Sequence, residues 1–179
     1  MEDPWFSRVF TVSERPEDMW SSVYRYKYEG ERDRAAGLGR LLAGYLQARS
    51  ADLATYDAIT TCALYVGPGA PRLWDYLKPV LDAAQRRTTV VPVEHDLIAK
   101  GGPTDRFLGL GTQERRVIAE GSLRAVLTVP RPERVAGRRI LVFDDVYSEG
   151  FSLREMARTL RLAGAVEVAG LVLTRRKGC

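Results

Sequence analysis

Between residues 139 and 175 the sequence changes its period twice. Residues 140–143 (Ile-Leu-Val-Phe) are apolar at every position, and Asp144-Asp145 close the run. A short loop holding Ser148, Glu149 and Gly150 follows. Leu153, Met156, Ala157 and Leu160 then recur at helical spacing, before a second apolar run at 166–173. A run that is apolar on both faces suits a strand covered on both sides. Two such strands joined by a helix read as a right-handed crossover onto a parallel neighbour.

The alternation extends upstream. Runs at 58–64, 88–93 and 123–129 read as further strands, rich in Val, Ile and Leu. Helices are expected over 17–28, 32–49 and 72–85, with Pro16 near the start of the first. Their stripes are Trp20, Val23, Tyr24 with Lys27 or Tyr28; then Leu38, Leu41, Leu42, Tyr45 and Leu46; then Leu73, Tyr76, Leu77, Val80, Leu81 and Ala84. Residues 94–111 have no period and read as a long loop of the kind that serves as a lid. With no repeat or long linker, the 179 residues are expected to form one α/β domain, its core at 54–179 and a helical portion at 1–53.

Composition narrows the function classes. No apolar run is long enough to span a bilayer, and Met1-Glu2-Asp3-Pro4 lacks the layout of a signal peptide, so a cytoplasmic location is expected. One histidine, His95, and two distant cysteines, Cys62 and Cys179, offer neither zinc-ligand spacing nor a disulfide framework. The net charge of +4 suits phosphate-rich ligands, nucleic acid included, but no basic stripe interleaved with aromatics supports a nucleic-acid surface.

The chemistry concentrates at 144–155. Ser152 with Glu155 reads as a capping box, and Gly164 as the residue that stops the helix. The first amides of that helix would face the loop, at the positive end of its dipole, which favours an anion. Two carboxylates beside it can accept hydrogen bonds from a vicinal diol, at the sheet edge where α/β proteins bind ligands. On spacing alone the pair fits a sugar contact, a Mg²⁺ site or a structural feature.

The string resembles the binding motif for 5-phosphoribosyl-1-pyrophosphate (PRPP) of the type I phosphoribosyltransferases. That motif runs four apolar residues, two acids, two mostly apolar residues and Thr-Thr-Gly-x-Thr. Here residues 140–143, Asp144-Asp145, Val146-Tyr147 and Ser148-Glu149-Gly150-Phe151-Ser152 fill the slots. The resemblance implies the family's fold, a mainly parallel twisted sheet flanked by helices on both faces, with residues 1–53 as a hood or added helical layer. It implies that Asp144 and Asp145 are the catalytic acids, holding the ribose 2′- and 3′-hydroxyls, and that 148–152 wraps the 5′-phosphate. Mg²⁺ would arrive with PRPP, not on protein side chains.

By the same resemblance, the loop with Tyr65, Val66, Gly67 and Gly69 would bind pyrophosphate, although it also reads as a plain strand-to-helix turn. Lys100 and Arg106 would close over it as a lid, and Tyr65 and His95 would line an acceptor pocket. Tyr26-Lys27-Tyr28-Glu29-Gly30, Thr112-Gln113, Arg116 and 122–126 are similar to segments of the ComF-like (competence protein F-like) branch, whose zinc segment is absent here. The implied activity is transfer of phosphoribosyl to a nitrogen nucleophile with release of pyrophosphate, in a homodimer. The alternative is a non-catalytic module that senses PRPP or a nucleotide, or serves DNA uptake or regulation.

One residue departs from the motif. Glu149 stands where the family has its second Thr. It is expected to face solvent or pair with Arg154, leaving backbone amides to hold the phosphate.

Overall fold

The computed structural model describes residues 4–13, 16–71, 73–105, 107 and 109–176. In chain order the elements are β1 (Val9–Thr11), α1 (Pro16–Tyr28), α2 (Arg34–Ala48), α3 (Ser50–Leu53), β2 (Ala58–Thr61), α4 (Leu77–Gln85), β3 (Ala99–Lys100), α5 (Thr112–Ile118), a π turn (Ala119–Leu123), α6 (Arg124–Val126), β4 (Leu127–Thr128), a 3₁₀ turn (Pro132–Arg134), β5 (Arg139–Tyr147), α7 (Phe151–Leu162) and β6 (Glu167–Arg175). Four strands form a parallel sheet in the order β1-β6-β5-β2, and β3 pairs antiparallel with β4.

The sheet is covered on both faces, as the apolar runs require. Ile140, Leu141, Val142 and Phe143 of β5 are all fully buried, each contributing about 1.5–3 kcal/mol of apolar burial. Gly170 in β6, which pairs with Val142, faces α7 so closely that a Cβ there would lie 2.5 Å from Leu153 Cδ2. The opposite face carries α1 and α4, joined where the Tyr26 hydroxyl donates to the Tyr76 carbonyl at 2.7 Å. Behind them α2 lies against α4 through Gly39, where a Cβ would meet Ala83 Cβ at 2.5 Å.

Several sequence expectations shift. Helix α4 begins at Leu77, not at 72, because the Asp75 carboxylate accepts the amides of Leu77 and Lys78 and so sets the start; Leu73 is 91% exposed. Arg72 lies outside the described residues. The run 88–93 supplies only a single bridge, Val93 with Ile59, since Pro92 has no amide to extend the pairing. The run 123–129 is mostly helical, with only Leu127–Thr128 extended. In α1 the buried residues are Met19, Val23 and Tyr26, whereas Trp20, Tyr24 and Tyr28 are exposed and stack along the outside. Leu41 of α2 is likewise exposed, the buried side being completed by small residues, Ala35, Gly39 and Ala43. The three-residue strand β1 carries too few residues to show a period, and the long 94–111 segment contains β3.

Candidate functional site

Strand β5 runs past its apolar half and carries both acids into the sheet, pairing Asp144 with Val172 and Val146 with Thr174. Side chains alternate along a strand, so Asp144 shares the α7 face with Val142 and Asp145 points to the α1 face. There it meets Lys27 of α1, whose Nζ lies 2.5 Å from Asp145 Oδ2, with side chains only 9% and 7% exposed. Lys27 Nζ also sits 4.5 Å from the centre of the Tyr76 ring. Burial alone would push the Lys27 pKa down, but the Asp145 charge outweighs it and holds the amine charged.

Asp144 accepts the Asp145 amide at 2.9 Å. Burial, and then the negative charge of Asp145, push its pKa up to about 7, with Lys27 offsetting part of the effect. The pair is therefore unequal: Asp145 is committed to a cation, and Asp144 sits near the point of titration.

Beyond Tyr147 the chain turns through Gly150, whose φ of +79° suits glycine; a Cβ there would lie 2.7 Å from the Tyr147 hydroxyl oxygen. Helix α7 starts at the next residue, and no side chain caps it. The expected capping box is not formed, because Ser152 already lies within the first turn. Its partner Glu155 is 1% exposed and takes a two-point ion pair from Arg124, at 2.8 Å for each bond. Gly164 does end the helix, at φ +101°.

Glu149 is not where the sequence suggested. Arg115 Nη1 donates to both of its carboxylate oxygens at 2.9 Å, and Thr112 Oγ1 lies 3.4 Å away. The Arg115 and Glu149 side chains are 12% and 11% exposed. Burial would raise the Glu149 pKa, but the Ser148 hydroxyl, its own amide and Arg115 together hold it below the usual carboxylate value. Arg154 instead lies 3.9 Å from Glu120.

These groups open onto one cleft of about 220 Å³. Its walls include Asp144, Asp145 and residues 146–152 from the motif, Lys27 and Tyr76 from the α1 face, and Arg115 from α5. Lys100 also lines it, from β3, with its amine donating to Thr104 Oγ1 at 2.6 Å. The 63–69 segment contributes Ala63 and Leu64, whereas Tyr65, Val66, Gly67 and Gly69 do not line the cleft. Tyr65 folds over Gly67, and Gly69, at φ +75°, packs near Pro103. His95 also lies away from the cleft walls, its Nε2 2.6 Å from Asp82. Arg106 lies outside the described residues. Sequence reasoning missed Arg115 and Tyr76 as site residues; Lys27 stood in a noted segment, but nothing in the sequence tied it to Asp145.

No family model matches the chain, and no curated protein matches it. Among solved structures, the allosteric regulatory enzyme of purine biosynthesis aligns at 22% identity and a TM-score of 0.46, over 77% of this chain. The chain spans only 25% of that enzyme's length. A hypoxanthine phosphoribosyltransferase of Trypanosoma cruzi aligns at 13% identity and a TM-score of 0.43, covering 84% of this chain and 67% of that one. A purine phosphoribosyltransferase of Pyrococcus horikoshii aligns at 17% identity and a TM-score of 0.41, covering 94% and 88%.

Proposed function

We propose that the cleft binds PRPP, or a ribose 5-phosphate or nucleotide of the same shape, and that the chain transfers the phosphoribosyl group to a nitrogen nucleophile. The observation that carries this reading is the placement of Asp144 and Asp145 beside the uncapped N-terminus of α7, with the Ser148-Glu149-Gly150 loop between them. The amides of that first turn and the Ser148 hydroxyl take the 5′-phosphate. The acids accept hydrogen bonds from the ribose hydroxyls, Asp145 held ionised by Lys27 and Asp144 ionising as the ligand binds. In the reaction the C1′–oxygen bond to pyrophosphate breaks, pyrophosphate leaves with the electron pair, and the nitrogen bonds C1′. The protein contributes position and charge more than covalent chemistry.

The donors present suit a Mg²⁺ that arrives on the ligand. Among the described residues no cluster of three His, Cys, Asp or Glu could hold a metal by itself, and Asp145 is already paired. Asp144 is the carboxylate that would face such an ion, whose role when bound is to neutralise the leaving pyrophosphate. Lys100, on the cleft wall, adds positive charge for the same group.

The family assignment, its ComF-like branch, a dimer and a cytoplasmic setting belong to the same proposal. Among the described residues, no helix is long and apolar enough to cross a membrane. A sensing module without turnover is the second reading, and the Glu149 carboxylate inside the anion loop favours it. Titration calorimetry with PRPP, ribose 5-phosphate and a nucleoside monophosphate tests binding. PRPP-dependent release of pyrophosphate across bases and amides separates the two readings. A folded protein that binds none of the three ligands would end both.

A further inference from the structure

Glu149 lies between Ser148 and Gly150 and brings the one carboxylate among the side chains of 148–152. Its carboxylate receives Arg115 Nη1 on both oxygens at 2.9 Å, with the Thr112 hydroxyl at 3.4 Å, and the adjacent Ser148 hydroxyl and loop amide help to hold its pKa below the usual value. A guanidinium, hydroxyls and a loop amide are the donor set that a phosphate takes. They converge here on an acid, in the slot where the resembled motif has a hydroxyl. Both side chains are mostly buried, so the pair is screened less by solvent than a surface pair.

We infer that the Glu149 carboxylate is the chain's own stand-in for a phosphate, and that an incoming dianionic phosphate displaces it and takes over Arg115. This rests on the anion loop proposed above. The partners differ in how firmly they are held. Arg115 is tied at a second point, its Nε donating to the Phe107 carbonyl at 3.1 Å, so the guanidinium stays when its acid leaves. Glu149 hangs from a loop beside the left-handed Gly150 and borders the cleft, so its side chain can turn away.

The exchange has a direction. A phosphate monoester carries close to two charges and three acceptor oxygens, against one charge and two oxygens for the carboxylate. A dianion can therefore win Arg115 where a monoanion or a carboxylic acid cannot. The internal acid lowers affinity for any phosphate that takes Arg115 by the free energy of its expulsion, and leaves a site selective for terminal phosphates. Arg115 is then a phosphate-binding residue, and Glu149 sets the threshold.

The test is calorimetric titration of ribose 5-phosphate, and separately of inorganic phosphate, into wild type, Glu149→Gln, Glu149→Thr and Glu149→Gln with Arg115→Met. The two Glu149 variants are expected to bind ribose 5-phosphate at least tenfold more tightly than wild type, with the gain largest at low salt. Adding Arg115→Met is expected to abolish the gain. Wild-type or weaker affinity in a folded Glu149 variant overturns the inference and makes the pair a structural staple. If only one of the two Glu149 variants folds, that one decides. Tighter binding of inorganic phosphate with no binding of ribose 5-phosphate by any variant upholds the stand-in role and sinks the sugar-phosphate reading instead. Binding of neither ligand by any variant sinks both.

Discussion

Lys27 and Asp145 are 118 residues apart in sequence, yet their charged atoms lie 2.5 Å apart between α1 and β5. The contact ties the helical portion of the chain to the strand that carries the candidate acids. It also decides what a change at either residue does. A buried charge that loses its partner costs more than the pair contributes, because its desolvation is left uncompensated.

Asp145→Asn is therefore expected to destabilise the fold, by about 3–5 kcal/mol. Lys27→Met in the same chain should recover most of that loss, since no buried charge then remains. Chemical denaturation of the two single variants and the double variant measures it. An unchanged midpoint for Asp145→Asn would mean that Lys27 reaches water, contrary to its burial.

Asp144 gives a pH dependence of defined sign. Its folded pKa, about 7, exceeds the usual carboxylate value, so across the window between them the folded state keeps a proton that the unfolded chain has lost. Its contribution is full below the unfolded pKa and is lost as pH rises through about 7. Asp144→Asn should flatten that slope. Ligand affinity should run the other way, rising through the same pH range as the carboxylate ionises and can accept hydrogen bonds. Stability and calorimetric titrations over that range, with and without the substitution, check both signs.

The Arg124–Glu155 pair is lopsided, with side-chain exposures of 38% and 1%. Arg124→Met strands a carboxylate in the core and is expected to cost about 3 kcal/mol or more. Glu155→Gln keeps an acceptor for a half-exposed arginine and should cost about 1 kcal/mol. Equal losses from the two variants would show that the carboxylate is hydrated.

Two glycines separate backbone from side-chain crowding. An added Cβ at Gly39 meets Ala83 Cβ at 2.5 Å and the Val80 carbonyl oxygen at 2.8 Å, groups held by a helix backbone. At Gly170 the nearest atom is Leu153 Cδ2, the end of a flexible side chain. Gly39→Ala should cost more than Gly170→Ala, despite alanine's advantage of about 1 kcal/mol inside a helix. Melting temperatures of the two variants rank them.

The β5–loop–α7–β6 unit was legible because its signals are local. Apolar runs, the Gly150 turn and the Gly164 stop all lie within a few residues of what they determine. The α1 face was misread because Trp20, Tyr24 and Tyr28 are apolar enough to imitate a core stripe, and the Tyr26 hydroxyl bond to Tyr76 is invisible to a period count. The same limit hid the destinations of Glu149 and Glu155. Their arginine partners lie 34 and 31 residues away, and an ion pair between elements leaves no periodic trace.

Those two arginines share a helical segment interrupted by the π turn. In an unbroken α-helix, nine positions of separation would set Arg115 and Arg124 about half a turn apart, facing away from each other. The wider turn at Ala119–Leu123 changes that phase. Both guanidiniums reach the same neighbour, one at Glu149 just before α7 and one at Glu155 in its second turn. The five residues of the irregular turn thus act as a spacer that meters rotation rather than length. Excising one of them would turn the segment into plain α-helix with the two arginines eight positions and about 80° apart, close to the phase that the wider turn sets, so the grip on the loop should survive.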